Sequence, residues 1–211
     1  MPLSELSSTV QDYLKVIWSA TEWTPGPVTV TRLAERMGVR KATVSDAVRR
    51  LVDAGLLAHE PYGGVELTAL GREHALGMVR RHRLIETFLV ETLGYDWDEV
   101  HDEAESLEHA VSDTMIDRVD ALLGHPTRDP HGDPIPNRDG LPHLPDAVAM
   151  TDAPAGVPLT VERISDADPA LLRELAARGI RPGTFLTKPI ELSAAEAAAI
   201  WVSAPPAAPA G

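Results

Sequence analysis

The run His101-Asp-Glu-Ala-Glu105-Ser-Leu-Glu108-His109 restricts the fold more than any other stretch of this chain. On a helix that turns by roughly 100° per residue, His101, Glu105, Glu108 and His109 share an arc of roughly 100°. A stripe of two imidazoles and two carboxylates makes a poor core and a good grip for a divalent cation. His82 and Glu86, one helical turn apart on an earlier segment, form a second such pair. Mixed nitrogen and oxygen donors suit manganese, iron, cobalt, nickel or zinc, and a chain with no cysteine has no thiolate for a structural zinc site. The bland alternative is a solvated acidic face with incidental histidines, but the spacing selects one face twice.

Composition narrows the partners once it is divided along the chain. The 211 residues suffice for one large domain or two to three small ones, and 44% hydrophobic residues suffice for packed cores. No apolar run is long enough to span a bilayer, and no basic-then-apolar leader opens the sequence, so a cytoplasmic protein without a membrane partner is expected. The net charge of −13 argues against nucleic acid only when it is averaged. Residues 1–83 carry 11 Lys/Arg against 9 Asp/Glu, whereas residues 84–155 carry three arginines against 17 acids. The acid sits where cations would be held; the N-terminal third is mildly basic.

Periodicity gives the expected elements. Val10, Tyr13, Leu14, Ile17 and Trp18 form an apolar stripe on a helix over Leu3–Glu22, followed by a loop at Trp23–Pro27. Val30–Gly38 and Lys41–Ala54 read as two short helices, the first closed by Gly38 and the second followed by Gly55. Leu56–His59 and Val65–Thr68 alternate around Pro61-Tyr62-Gly63-Gly64, a hairpin signal. Two helices, a tight turn and a hairpin make a winged helix-turn-helix. A long helix is expected from Thr68 to about Leu93, and a helical pair from Trp97 to about Leu123. His125–Pro158 reads as loop and linker, with a short helical piece at Leu144–Met150. Val157–Ile164 and Thr184–Ile190 read as strands around a helix at Pro169–Arg178. Little chain remains in Lys188–Val202 to complete a barrel, and Ser203–Gly211 is expected to be disordered.

The expected fold is therefore mainly α with a small β component. Residues 1–73 form the winged helix-turn-helix domain, 74–145 a helical domain that carries the ligand stripe (a dimerisation and metal domain by the resemblance given below), 146–156 a linker, 157–202 a small β-rich domain, and 203–211 the tail. In a helix-turn-helix the second helix enters the major groove. Arg40, Lys41, Arg49 and Arg50 are then the phosphate contacts, which position without reading sequence. Thr43, Ser45 and Asp46 are short enough to reach base edges, although an acid near phosphates is costly unless paired.

Six segments together resemble the metal-dependent repressors typified by the diphtheria toxin repressor, in the manganese-responsive branch. They are Asp12-Tyr-Leu, Ala42-Thr-Val-Ser45, Arg80-Arg-His-Arg-Leu-Ile-Glu86, Val100-His-Asp-Glu-Ala, Glu108-His109 and Gly132-Asp-Pro-Ile-Pro136. The resemblance implies an SH3-like (FeoA-like) fold for the C-terminal domain and a primary metal site of Asp12, Glu105, Glu108 and His109. It implies an ancillary site of His82, Glu86 and His101, joined by a C-terminal carboxylate at the position of Asp168; Leu171 stands where iron-responsive members have a second donor, Gln. Those members place Met and Cys where this chain has Asp12 and Glu105. Hard carboxylates suit manganese, in the same direction as the resemblance. Lys15 departs from the Glu with which manganese regulators build a two-metal cluster, and Asp129 and Asp133 depart from the neutral residues with which some relatives hold an anion.

The implied function is a Mn²⁺-dependent, homodimeric repressor of metal-uptake genes acting on a palindromic double-stranded operator. Fe²⁺ is the alternative activator, and Co²⁺, Ni²⁺ or Zn²⁺ would also bind in vitro. The rival from another class is a metallohydrolase activating water on the His/carboxylate stripe, for which the sequence offers no nucleophile or phosphate loop.

Overall fold

Ser7 sets where the first helix begins. Its hydroxyl accepts from Val10 N, so α1 spans Ser8–Glu22 and Leu3–Glu5 forms a separate 3₁₀ turn rather than the start of one long helix. The computed structural model describes residues 3–23, 26–59, 63–138, 140 and 145–203. The hairpin tip at Pro61-Tyr62, the loop residues Thr24 and Pro25, Leu144 and the tail from 204 to 211 lie outside the described residues. The chain divides into two units: residues 1–81 with 136–141, and residues 82–135 with 142–211.

In the first unit Thr29 caps α2 (Val30–Arg36) through Arg32 N, and α3 (Lys41–Asp53) follows a turn through Gly38, whose φ of 64° is the left-handed region glycine tolerates. Strands β1 (Leu57–His59) and β2 (Val65–Leu67) pair antiparallel with Ala58 opposite Glu66. Val65 N also donates to Val28 O at 2.7 Å, tying the hairpin to the loop before α2. Leu14, Ile17, Leu33, Val44, Val48, Leu51 and Leu56 form the buried core, joined by Ala75 and Val79 of α4 (Ala69–Leu93). The winged helix-turn-helix expected from the sequence is present.

In the second unit α5 (Val100–Leu107) and α6 (Asp113–Leu122) pack Val100, Ala104, Ile116 and Val119 with Leu84, Ile85 and Leu89. A four-stranded antiparallel sheet runs in the order β3 (Val148–Ala149), β6 (Ile200–Ser203), β4 (Pro158–Ile164), β5 (Phe185–Thr187). Helices α7 (Pro169–Ala177) and α8 (Ala194–Ala199) complete it around Leu159, Ile164, Leu172, Leu175 and Ile200.

Three expectations give way here. Val148–Ala149 is a strand, not part of a helix, because Val148 pairs with Val202 and Met150 N donates to Ile200 O at 2.8 Å. The stretch read as linker, 146–156, thus supplies a strand to the sheet. The chain after Lys188 also suffices to finish the domain: Ser193 and Glu196 form a capping box that starts α8, and β6 then lies between β3 and β4. The helical pair begins at Val100 rather than Trp97, whose ring is buried against the sheet's core.

Candidate metal centre and nucleic-acid interface

Helix α3 separates its residues cleanly by face. Val44, Ala47, Val48 and Leu51 are buried, while Arg40, Lys41, Thr43, Ser45, Asp46, Arg49 and Arg50 are all exposed. Asp46 has the partner that an acid on such a face requires: its Oδ1 accepts from Arg49 Nη2 at 2.9 Å. Arg40 occupies the N-cap without a side-chain cap, so the first backbone N–H groups of the helix remain open to an anion such as a phosphate.

The second unit gathers ligand-type side chains around Glu86, which is 1% exposed. His82, one turn back on α4, brings Nε2 to 3.0 Å from Glu86 Oε1 and Nδ1 to 2.7 Å from Glu108 Oε2. His101, from the first turn of α5, places Nδ1 3.4 Å from Glu86 Oε1 and 3.2 Å from His82 Nε2. Its Nε2 lies 3.7 Å from Glu105 Oε1, and His109 Nε2 lies 3.5 Å from Glu108 Oε1. The helix proper closes at Leu107, but Glu108 keeps helical angles (φ −58°, ψ −28°), so the predicted stripe holds together through its carboxylates. Asp12 stands half-buried on α1 of the first unit.

The structure separates one predicted ligand from the cluster. Asp168 is exposed and spends Oδ1 capping α7, accepting from Ala170 N at 3.0 Å and Leu171 N at 3.3 Å. Asp166 is the carboxylate beside the histidines, 3.0 Å from His101 Nδ1. Leu171 is buried in the core of the C-terminal domain. An Asp immediately before Pro169 is a helix N-cap signal, and that signal could have freed Asp168 from the ligand set and pointed to its neighbour.

Two further residues were not singled out as ligands. Asp129 and His131, in the loop before Pro134, are buried and share a group with Glu86 whose donor atoms lie within 4.8 Å of one another. Asp129 Oδ1 accepts from the backbone N of His131 and of Asp133, both at 2.9 Å, which fixes the loop and leaves Oδ2 facing Arg83 Nε at 3.6 Å. The loop is clamped to β4: Ile164 N donates to His131 O at 2.9 Å, and a Cβ on Gly132 (φ 90°) would stand 2.1 Å from Glu162 O. The signal available was the Asp-x-His spacing just ahead of Gly132-Asp-Pro-Ile-Pro136.

Charge governs these groups. Burial alone would lower the His101 pKa, but the Asp166 and Glu86 carboxylates beside it raise it to about 11. His131 behaves likewise and reaches about 10, chiefly through Glu86. For Glu86 burial opposes ionisation, yet the surrounding His82, His101 and His131 hold it well below the ordinary carboxylate range; His101 does the same for Asp166. Asp129 is pushed up to about 8 by burial, Asp133 and Glu86, against the opposing pull of His131 and Arg83.

The donor set fits a divalent cation. Glu86 Oε1 and His131 Nδ1 are buried without completing a hydrogen bond. His131 Nε2 lies 2.7 Å from Trp97 O, and a carbonyl only accepts, so Nε2 keeps its proton and Nδ1 is the atom that would meet a metal once its own proton leaves. Imidazole and carboxylate donors without thiolate suit first-row divalent metals.

Comparison with known proteins identifies the family. The iron-dependent repressor N-terminal DNA-binding domain matches residues 5–65, the iron-dependent repressor metal-binding and dimerisation domain residues 68–137, and the FeoA domain residues 148–188. The iron-dependent repressor IdeR of Mycobacterium leprae (strain TN) is 35% identical over 88% of this chain and 85% of its own length. The diphtheria toxin repressor of Corynebacterium efficiens is 34% identical over 86% of this chain and 83% of its own length. A solved manganese-dependent transcriptional repressor in complex with manganese is 48% identical, covers 92% of this chain and 99% of its own, and superposes with a TM-score of 0.85. These relatives are repressors, which removes the metallohydrolase reading. No helix among the described residues is long and apolar enough to cross a membrane. The chain belongs to the iron-dependent repressor family that includes the diphtheria toxin repressor, and it is a metal-dependent, DNA-binding transcriptional repressor.

Proposed function

We propose that this repressor is activated by Mn²⁺ and acts in the cytoplasm as a homodimer on palindromic operators of metal-uptake genes. The observation that carries the metal choice is the carboxylate weight of the ligand set: Glu105 in the α5 stripe, and Glu86, Asp129 and Asp166 around the histidines. Hard oxygen donors favour manganese over the later divalent ions that bind most sites more tightly. The manganese-bound relative is consistent with this choice.

Asp12, Glu105, Glu108 and His109 would hold the primary ion; His82, Glu86 and His101, with Asp166 in place of Asp168, would hold the ancillary one. A bound cation supplies charge that lets these buried carboxylates share one locus without repulsion. Asp12 belongs to the DNA-binding domain, so its engagement ties that domain's placement to the ligands on α5. Such a tie activates only if the ligands bind more tightly in the DNA-competent arrangement. Two recognition helices of a dimer then meet half-sites about one helical turn apart, roughly 34–36 Å. A shallow groove lined by Phe88, Met115, Val119 and Leu122, with Leu122 67% exposed, gives the dimer an apolar face to bury. On α3, Arg40, Lys41, Arg49 and Arg50 contact phosphates, while Thr43, Ser45 and Asp46 read base edges.

A second reading, activation by Fe²⁺, is favoured by the paired imidazoles His82 and His101 and by the iron-dependent relatives. DNA binding measured across a series of divalent metals at controlled free concentration, with chelator controls, separates the two. Mn²⁺ should activate at lower occupancy of competing sites than its affinity rank implies. Activation by Fe²⁺ at free concentrations where Mn²⁺ is inert would overturn the manganese reading.

A further inference from the structure

Phe185 is 77% exposed, more than any other large hydrophobic side chain among the described residues. Leu159, Val161, Leu186, Ile200 and Val202 fill the core of the C-terminal sheet, so the residues that alternate with them face outward. Register sets three of these in one row: Phe185 on β5 lies opposite Thr160 on β4, and Thr160 lies opposite Ser203 on β6. Pro158 and Thr187 form the next outward pair, and both are exposed. The patch carries no charge, in a chain of which 24% is charged. Beyond it the same face is already occupied: Arg128 Nη2 pairs with Glu162 Oε2 at 2.6 Å, and Arg163 stacks over the Trp201 ring at 4.7 Å.

The chain leaves the sheet beside this patch. Ser203, the last residue of β6, donates its hydroxyl to Glu162 Oε1, which fixes the exit on the outer face. Ala204-Pro-Pro-Ala-Ala-Pro209-Ala-Gly211 follows, uncharged along its side chains. Its two adjacent prolines and its Pro206-Ala-Ala-Pro209 spacing favour the polyproline II helix. Alone, such a segment buries too little apolar surface to order itself. Beside an exposed aromatic ring it has a partner.

We propose that Ala204–Gly211 docks in polyproline II form across Thr160 onto the Phe185 ring of the same chain, closing the uncharged patch of the FeoA-like sheet. This goes beyond the metal-activated reading above and does not depend on it. The reach is sufficient. Phe185 stands two strand spacings from Ser203, roughly 10 Å. Pro206 is three residues past Ser203, roughly 9 Å at about 3.1 Å per residue. Pro206 thus arrives at the ring, and Pro209 continues past it. Aromatic rings on SH3-like surfaces take proline because its fixed φ leaves little entropy to lose on docking. Tethering supplies an effective concentration of about millimolar, enough for a contact too weak to hold a dilute free peptide.

Phe88 and Phe185 are the chain's two phenylalanines, so fluorophenylalanine places one ¹⁹F reporter on the patch and one internal control elsewhere. Phe185→Leu assigns the two signals. Stopping the chain after Ser203 should raise the broadening of the Phe185 signal by a soluble gadolinium chelate at least roughly twofold, as expected when a tether at about millimolar effective concentration keeps half or more of the patch covered. The Phe88 signal should not change. Pro205→Gly combined with Pro206→Gly keeps the full length and should give the same rise; it decides the matter should the shortened chain fold poorly by circular dichroism. A free peptide of residues 204–211 should restore protection to the shortened chain, half-maximally at about millimolar concentration, and should act less on the full-length chain. Equal broadening in full-length and shortened protein, or a peptide without effect, would overturn the docking. So would protection of a labelled shortened chain by an equal, dilute amount of unlabelled full-length chain, which would assign the tail of a second copy to the patch.

Discussion

The two units of this chain are held together by different physics. The first is conventional: α3 buries Val44, Val48 and Leu51 and turns every charged residue outward, and Arg49 and Asp46 pair in solvent. The second buries charge at its centre, where His82, Arg83, Glu86, Glu108, Asp129, His131 and Asp133 are all under 9% exposed. Apolar burial tolerates a change of partner, because its stabilisation is proportional to area and has no direction. Buried charge does not, because removing one member leaves the others unpaired in a poor dielectric. The unit that must sense an ion is thus the one with the denser set of buried charges, whereas the first unit buries Lys15, His74 and Arg81.

The largest expected effect breaks that comparison at Arg83. It is 7% exposed, donates to Pro134 O at 2.6 Å and faces Asp129 and Asp133. Arg83→Met should destabilise the second unit by about 3–5 kcal/mol, the range for breaking one side of a buried charge network. The first unit should keep its own stability. Hydrogen exchange resolved by peptide checks this: equal loss of protection in α3 and α5 would show that the units do not respond separately.

Above about pH 6.5 the pH response should fall mainly on the second unit. His101 and His131 titrate near 11 and 10 in the folded chain, above the ordinary value of 6.5, so the stability they contribute is whole below about pH 6.5 and is lost as pH rises towards 10–11. Asp129, raised to about 8, adds a loss with rising pH between about 4 and 8. In the first unit buried His74 is depressed by desolvation, so its contribution is present above about pH 6.5 and is lost as pH falls. Metal-free protein unfolded at a series of pH values, with single-tryptophan variants retaining Trp18 or Trp97 as separate reporters, should show the two slopes. Parallel slopes in the alkaline range would contradict the placement of the denser buried charges in the second unit. Mn²⁺ should bind more tightly as pH rises, since protons compete for the same imidazoles.

A smaller effect tests the proposed tie between the units. Asp12→Ala should leave ion binding around Glu86 intact and reduce operator affinity at saturating Mn²⁺ at least roughly tenfold, within the usual span of allosteric coupling. His82→Ala should instead shift the metal concentration needed, with DNA binding recovered at excess Mn²⁺. Full recovery by Asp12→Ala at saturation would place activation in dimerisation or in the FeoA-like domain.

The contrast between units also explains what could be read from the amino-acid order. The first unit was legible nearly to the residue, because an apolar period of 3.6 and turn glycines such as Gly38 and Gly55 act locally. His82, Glu86, His101, Glu105 and Glu108 were legible for the same reason: a helix brings residues one turn apart to one face. Asp166, Asp129 and His131 were not, because loops and a distant strand carry them, and no period links Asp129 to Glu86. Val148–Ala149 was missed on similar grounds. Two residues become a strand only because Val202 lies opposite, and that is a tertiary fact.

The smallest effect is expected at a charge pair on the reading face of the first unit. Asp46 and Arg49 are three residues apart, with side chains 62% and 72% exposed, so their attraction is screened and contributes little to folding. Asp46→Ala should change the unfolding midpoint by no more than an exposed surface substitution does, under about 0.5 kcal/mol. On DNA the same change divides two roles. If Asp46 serves to hold Arg49 towards a phosphate, its loss should weaken binding to specific and random duplexes alike and alter the salt slope by less than about one counterion. If it accepts from a base edge, the loss should fall on operator variants at one position, by about 1–3 kcal/mol. Thr43→Ala supplies the control for base reading and Arg50→Ala the control for phosphate contact, each measured on the same duplexes at two salt concentrations. The 2.9 Å pair predicts the first pattern, which would move Asp46 out of the base-reading set, and a position-specific loss would keep it there.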